Sequence, residues 1–190
     1  MASISLKYKS KQGSLTAPGD VDLGAMIPIA TTTLSTATST VTFSNIPQSY
    51  EHLQIRGISA STVSQAIFIR FNNDATNIYY NHELVGDGTN ASANSRTPRT
   101  GAVIMPQGMS ATANIFAGLV VDILDYTNTN KYKTVRSLSG NDLNGSGYVW
   151  FNSSAFPSTS AVTQIDLVNN GSTFVQYSSF ALYGIKRAGA

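Results

Sequence analysis

Two histidines, each beside a glutamate, are the residues of this chain whose types best suit acid–base chemistry. Glu51 precedes His52 and His82 precedes Glu83, in stretches where alternating apolar residues predict strands. Neighbouring side chains of a strand point to opposite faces of a sheet, so neither pair is placed to act as a dyad. The chain has no cysteine, which excludes thiol catalysis, disulfides and Cys-ligated zinc. We therefore expect no catalytic residue among these groups.

Two aspartates near the end of an apolar stretch offer a second kind of chemistry. Asp122 and Asp125 could serve glycoside hydrolysis if the fold held their carboxylates roughly 5–10 Å apart. The alternative is structural: Asp122 hydrogen-bonds within the sheet or pairs with Arg136 or Lys133, and Asp125 caps the turn at 126–128. We favour the structural alternative. No serine lies in a G-x-S-x-G nucleophile elbow, so the sequence predicts no enzyme.

Oxygen-bearing side chains cluster between two predicted strands, at Asn72, Asn73, Asp74 and Asn77. Calcium prefers oxygen ligands, but only one of these is charged and the spacing is not that of an EF-hand loop. An ordinary hairpin turn explains the cluster better. No phosphate-binding glycine motif is present either, so we expect neither a metal nor a cofactor.

Aromatic and amide side chains supply the candidate contact surface. Tyr148 and Trp150 lie beside amide-rich turns, and such aromatic rings can stack on sugars or pack against a neighbouring subunit. Residues 86–99, rich in Gly, Asn, Ser and Ala, are predicted to form the longest loop, and long loops in compact domains are often functional. The candidate contact residues are Asn90, Asn94, Arg96, Arg99, Tyr148 and Trp150.

The composition fits one domain with neutral polar surfaces. Of 190 residues only 12% are charged while 42% are hydrophobic, and the net charge is +2. This balance argues against disorder and does not demand a nucleic acid partner. The cluster of Lys7, Lys9 and Lys11 is better explained as a solvated basic arm than as a DNA contact. No apolar run approaches the roughly 20 residues of a membrane helix, so we expect a soluble protein made in the cytosol.

The elements that would position these residues are strands. Short β-type runs alternate with turn signals at intervals of roughly 8–12 residues from Val41 onward, the pattern of a sandwich or barrel. Ile115 to Leu124 is predicted to be covered on both faces, and the run from Phe174 to Ile185 to be a long central strand. We predict an all-β antiparallel β-sandwich, of jelly-roll or lectin-like type, over residues 41–190. The predicted strands are 41–43, 52–56, 66–71, 78–85, 102–105, 115–124, 132–138, 148–151, 165–168 and 174–185.

Residues 1–40 differ from the rest of the chain. They combine a basic stretch, a turn and the low-complexity run from Thr31 to Thr40, which cannot build a core alone. Apolar residues spaced through the segment favour an extended arm that anchors to something larger. The predicted anchoring residues are Lys7, Tyr8, Lys9, Lys11, Leu15, Val21, Leu23, Met26, Ile27 and Ile29.

Six segments carry a resemblance to a known family. They are residues 6–11 (LKYKSK), 17–22 (APGDVD), 25–30 (AMIPIA), 46–57 (IPQSYEHLQIRG), 122–134 (DILDYTNTNKYKT) and 174–186 (FVQYSSFALYGIK). The chain resembles tailed-phage virion structural proteins, described as tail-fibre or minor tail proteins, from environmental and cyanobacterial phages. The resemblance covers most of the chain and is weaker over about 89–110.

The resemblance implies a virion component that works as a homotrimer, and it carries over no catalytic residue. One expectation is a tail fibre or adhesin, docked on the tail by residues 1–40 and presenting loops to a host surface glycan. The alternative is a head decoration protein whose arm lies across capsid subunits. A glycan-cleaving enzyme is a third reading, for which we find no convincing carboxylate pair. The expected partners are other copies of the chain and other virion proteins, with no nucleic acid and no inserted membrane.

Overall fold

The computed structural model describes residues 25–105 and 112–187, and these form strands joined by turns and loops. No helix occurs in either range. The strands are β1 (Met26–Thr33), β2 (Thr40–Phe43), β3 (His52–Ser59), β4 (Ile67–Phe71), β5 (Tyr79–Gly86), β6 (Ala91–Arg99), β7 (Ala102–Met105), β8 (Ala117–Leu124), β9 (Lys133–Asp142), β10 (Gly147–Phe156), β11 (Ile165–Asn169) and β12 (Ser179–Ile185).

Two antiparallel sheets pack together, which confirms the predicted sandwich. The large sheet has the order β1-β12-β3-β8-β9-β10-β5-β6, and the small sheet has the order β2-β11-β4-β7. The chain crosses between the sheets at every connection except β5–β6, β8–β9 and β9–β10. Such repeated crossing places chain-distant strands side by side, as in a jelly roll. Strands β1, β12, β3 and β8 face the four strands of the small sheet in a jelly-roll order, and β9, β10, β5 and β6 extend the large sheet beyond β8.

Alternating side chains create the core between the sheets. In β3, Leu53 and Ile55 are fully buried, while Arg56 and Ile58 on the other face are exposed. This period of two is what a sheet covered on one face requires. At one end of the core, the ring of Phe156 stacks on Tyr79 with a centroid separation of 4.9 Å.

The small sheet covers only part of the large one. At its edge strand β7, backbone N–H and C=O groups form hydrogen bonds with side chains of the large sheet. The backbone N–H of Val103 donates to Asn81 Oδ1 at 2.6 Å, and the carbonyl of Ile104 accepts from the hydroxyls of Ser137 and Ser139 at 2.9 and 3.1 Å. A free strand edge leaves unpaired backbone groups. Polar side chains on the inner face of the large sheet therefore take the place of a further strand.

Turns with positive φ occur at asparagine and glycine positions, but not every Asn-Gly pair forms a hairpin. Asn144 and Gly145 both have positive φ and join β9 to β10 in a hairpin, as the Asn-Gly pair predicts. The Asn169-Asn170-Gly171 segment also turns, with Gly171 at φ 79°. It does not make a hairpin, because β11 and β12 belong to different sheets.

Four expectations about the elements need correction. Residues 86–99 are not a long loop, because 91–99 form β6, the edge strand paired with β5. The last strand is shorter than predicted and lies second from the edge, between β1 and β3. The outer side chains of β8 are only partly covered. Residues 26–33 belong to the large sheet, since β1 pairs with β12, so the sandwich begins before residue 41.

Candidate functional site

The outer face of the large sheet carries an apolar surface that no described residue covers. Five large side chains on this face, Ile58, Leu84, Leu138, Val149 and Phe151, are between 45% and 59% exposed. They come from four different strands, β3, β5, β9 and β10. Contiguous apolar patches on soluble proteins commonly mark interaction sites.

Strand register sorts this surface into two parallel rows. The first row, which we call the ridge, places Val120 beside Leu138, Leu138 beside Phe151, and Phe151 beside Leu84. Arg56 and Ala93 end the ridge on either side. Directly opposed side chains in adjacent strands contact one another. The ridge is therefore a continuous apolar band across four strands.

The second row lies two residues away on each strand, and three of its six residues are glycine. This row, which we call the trough, consists of Ile58, Gly118, Gly140, Val149, Gly86 and Ala91. A shallow groove of about 670 Å³ lies along part of these two rows, lined by residues from β3, β8, β9, β10 and β12. The face thus combines projecting apolar side chains with a depression beside them.

A polar row borders the ridge on its other side. Gln54, Asp122, Arg136, Ser153 and His82 are neighbours in register on this face. The amide of Gln54 donates to Asp122 Oδ1 at 2.8 Å, as the structural interpretation of Asp122 predicts. Arg136 is the cross-strand neighbour of Asp122, yet no ion pair joins them in the described part of the chain.

Lys133, the other predicted partner of Asp122, points to the opposite face. Its side chain is fully buried between the sheets. The ammonium donates to the carbonyls of Asn128, Lys131 and Thr159. Burial lowers the pKa of Lys133, because the charged form loses its hydration. The pairing of Lys133 with Asp122 was wrong, and the residue instead ties two loops together.

Glu51, His52 and Asp125 form the one group of three metal-type ligands among residues 25–105 and 112–187, with ligand atoms within 4.8 Å of one another. Lys131 Nζ lies 2.7 Å from Asp125 Oδ2, and Arg187 Nε lies 3.5 Å from Glu51 Oε1. The backbone N–H of Asp125 donates to His52 Nδ1 at 3.0 Å. Lys131 therefore pairs with Asp125, and Arg187 pairs with Glu51. The hydrogen bond from Lys131 holds the pKa of Asp125 below its usual value.

The expectation that each His-Glu pair is split between the two faces of the sheet is wrong for Glu51 and His52 and confirmed for His82 and Glu83. Glu51 lies just before β3 and is not separated from His52 by the sheet, contrary to the strand argument. His82 and Glu83, in contrast, do take opposite faces: His82 is exposed, and Glu83 is buried with Arg96. Asp125 does close the predicted turn, through its carbonyl, which accepts from the N–H of Asn128 at 3.0 Å.

The asparagine-rich turn after β4 is held by its own hydrogen bonds. Asn72 Oδ1 accepts from the N–H of Thr163 at 2.9 Å, and Asn72 Nδ2 donates to the carbonyl of Ala161. Asp74 Oδ1 accepts from the N–H of Thr76 at 2.8 Å. These contacts explain the oxygen-rich composition as turn chemistry.

The six predicted contact residues do not converge on one site. Asn90 lies in the β5–β6 turn, at the same end of the sheet as Tyr148, which is 40% exposed. Arg99 lies at the far end of β6, opposite Tyr79. Asn94 is exposed in the middle of β6.

Two of the six are engaged inside the chain. Arg96 forms two hydrogen bonds to the carboxylate of Glu83, at 2.6 and 3.1 Å, and the Glu83 side chain is only 2% exposed. Trp150 is 2% exposed, and Tyr148 stacks on it with a centroid separation of 4.9 Å. Trp150 is a core residue, so its assignment to a contact surface was wrong.

Most of the predicted anchoring arm lies outside the described residues, including Lys7, Tyr8, Lys9, Lys11, Leu15, Val21 and Leu23. Met26, Ile27 and Ile29 lie in β1 and are half-buried. They hold the edge of the sandwich through the pairing with β12.

Sequence reasoning missed the ridge and the trough, although a signal was present. In β10, Trp150 and Phe156 occupy one alternating phase while Val149 and Phe151 occupy the other. Large apolar residues in both phases indicate a strand that needs cover on both faces.

Comparison with known proteins found no similar protein: the chain matches no family model, no curated protein and no solved structure. No helix in the described ranges is long and apolar enough to cross a membrane.

Proposed function

We propose that this chain is a non-enzymatic structural subunit of a tailed-phage particle, of the tail-fibre or adhesin type, that works as an oligomer. The observation that carries the proposal is the exposed ridge, because a lone subunit would leave these apolar side chains in water. Apolar area removed from water stabilises association by roughly 25 cal/mol per Å². The resemblance to tailed-phage virion proteins is the reason for assigning the chain to a phage particle and for expecting a trimer.

The arrangement of polar groups favours assembly over catalysis. Asp122 is held by Gln54, and Asp125 by Lys131. Glu83, the most buried carboxylate of the candidate set, is neutralised by Arg96. General acid–base chemistry needs groups that meet around a cleft. These carboxylates instead lie on different faces and ends of the sheet, each with a partner of its own.

Immunogold labelling of purified phage particles with antibodies against this chain tests the proposal. Gold particles on the tail support a fibre or adhesin, and gold on the head favours the decoration alternative while keeping the structural role. Particles that lack the protein would contradict the proposal. So would release of reducing ends from host polysaccharide by the purified chain, if Asp122→Asn abolished it.

A further inference from the structure

We propose that the ridge and the trough pack against those of a second copy of this chain, across a two-fold axis that lies between the two rows and parallel to them. The inference rests on the proposed function only in taking the chain to be an oligomer. It adds the surface, the partner and the register of the contact.

Two of the three glycines of the trough, Gly118 and Gly86, point to close approach by another surface, whereas a Cβ on Gly140 would meet the carbonyl oxygen of Tyr148 at 2.7 Å. A Cβ built on Gly118 or on Gly86 meets no atom within 4 Å, and neither residue has a left-handed φ. Glycine inside a strand is destabilising by roughly 0.5–1 kcal/mol relative to alanine. Strand glycines often mark positions where a ligand or another backbone comes near. The chain's own fold does not require glycine at these two positions.

A second copy has the shape that fills this depression. Rotation about an axis between the rows places the ridge of one copy over the trough of the other, strand by strand. On each strand the ridge residue and the trough residue are two positions apart, so the rotation places one over the other. The contacts with glycines of the partner copy are Val120 over Gly118, Leu138 over Gly140 and Leu84 over Gly86. Large residues against small ones allow two sheets to pack at roughly 10 Å. Two large residues meet at β10, where Phe151 lies over Val149, and at β3, where Arg56 lies over Ile58.

Charge follows the same symmetry. On the outer face of β9, Arg136 is the outward-facing residue before Leu138, and Asp142 is the outward-facing residue after Gly140. Both are exposed. The two-fold rotation that places Leu138 over Gly140 also places Arg136 over Asp142, twice in each pair of chains. Opposite charges at the rim favour this register over its alternatives. Shape and charge therefore select the same partner, an identical chain.

The face is large enough for a stable contact. Six strands at a spacing of about 4.8 Å and four rows of outward side chains give a projected area of roughly 800 Å². A standard interface buries about 800 Å² on each partner.

Sedimentation equilibrium of the full chain with and without Gly118→Val tests the shape argument. The added side chain meets open space in the single chain, so the fold is expected to persist, with an unchanged circular dichroism spectrum. We expect the mass to fall by half, whether the starting state is a dimer or two trimers joined. Thr134→Val, an exposed position on the same face in the neighbouring strand β9 and outside the ridge and the trough, is the matched control and should leave the mass unchanged.

A charge exchange tests the register independently of packing. In Arg136→Asp two carboxylates face each other at both rims, and in Asp142→Arg two cations do. Each variant alone should associate about tenfold more weakly. An equal mixture should recover wild-type affinity, since every rim contact in the mixed pair is again between opposite charges.

A mass that Gly118→Val does not change overturns the inference, as does a mixture that associates no better than either variant. A strictly monomeric wild-type chain at high concentration also overturns it and leaves the face to another occupant. A monomeric wild-type chain would also remove the oligomer from the proposed function, whereas the outcomes for the variants would not. Immunogold labelling of phage particles tests the virion role separately from all of these outcomes.

Discussion

Single buried polar groups show how this chain specifies its interior with few charges. Tyr79 is fully buried, its hydroxyl accepts from the N–H of Phe71 at 3.1 Å, and it donates to the carbonyl of Asp74 at 3.1 Å. Glu83 has both oxygens bound by Arg96. Buried polar groups are tolerated when hydrogen bonds replace those to water. Each of these residues therefore yields a specific prediction about stability.

Tyr79 should make the protein less stable at alkaline pH. Desolvation by burial raises the pKa of Tyr79 from 10.0 to about 12. Between these values the folded state holds a proton that the unfolded state has lost, so the free energy of unfolding falls as pH rises from about 10 to about 12. The slope from this residue approaches about 1.4 kcal/mol per pH unit. Urea denaturation at a series of pH values should show that slope reduced in Tyr79→Phe. Equal slopes in both proteins would contradict the assignment.

Removing Arg96 should cost more than removing both members of its ion pair. Arg96→Met leaves the buried carboxylate of Glu83 without its partner, and we expect a loss of about 3 kcal/mol in the free energy of unfolding. Glu83→Gln together with Arg96→Met removes the uncompensated charge and should restore part of the loss. A double-mutant cycle by chemical denaturation measures this coupling. Additive losses would show that the pair is not coupled.

At the scale of elements, alternation and turn residues predicted most strands, and pairing decided the rest. The β9–β10 hairpin follows from Asn144-Gly145 between alternating runs. β6 was missed because Ala91–Arg99 contains no large apolar residue, and only its pairing with β5 makes it a strand. The role of the inner serines of β9 was also hidden, because their partner is the backbone of β7, distant in the chain.

Asn81 should control the attachment of β7 to the large sheet. Its Oδ1 accepts from the N–H of Val103 and from the hydroxyl of Ser154, both at 2.6 Å. Asn81→Ala removes the acceptor of the Val103 N–H and leaves the Ser154 hydroxyl with only its longer bond to the carbonyl of Val103, at 3.4 Å, so we expect a loss of about 1–3 kcal/mol in stability. Hydrogen exchange should quicken at Val103 before it quickens in β8. Asn94→Ala, an exposed change in β6, serves as the control and should leave both rates unchanged.

For the whole molecule, the jelly roll and the candidate surface differ in how far the sequence predicts them. Composition and strand spacing predict two packed antiparallel sheets. The order of the strands depends on contacts between distant segments, so periodicity alone does not reveal it. The ridge depends on the register of β8, β9, β10 and β5 together, which one-dimensional spacing does not show. The central claim, that this face is covered in the working assembly, belongs to this scale.

Thiol labelling tests that claim most directly, because the chain has no cysteine of its own. Leu138→Cys places a thiol in the ridge, and Tyr80→Cys places one on the same face outside the ridge. The native side chains are 54% and 51% exposed in a single chain. In the assembled protein we predict that the thiol at position 138 reacts at least about tenfold more slowly than the one at position 80, and that dilution removes the difference. Equal labelling rates at every concentration would contradict the account.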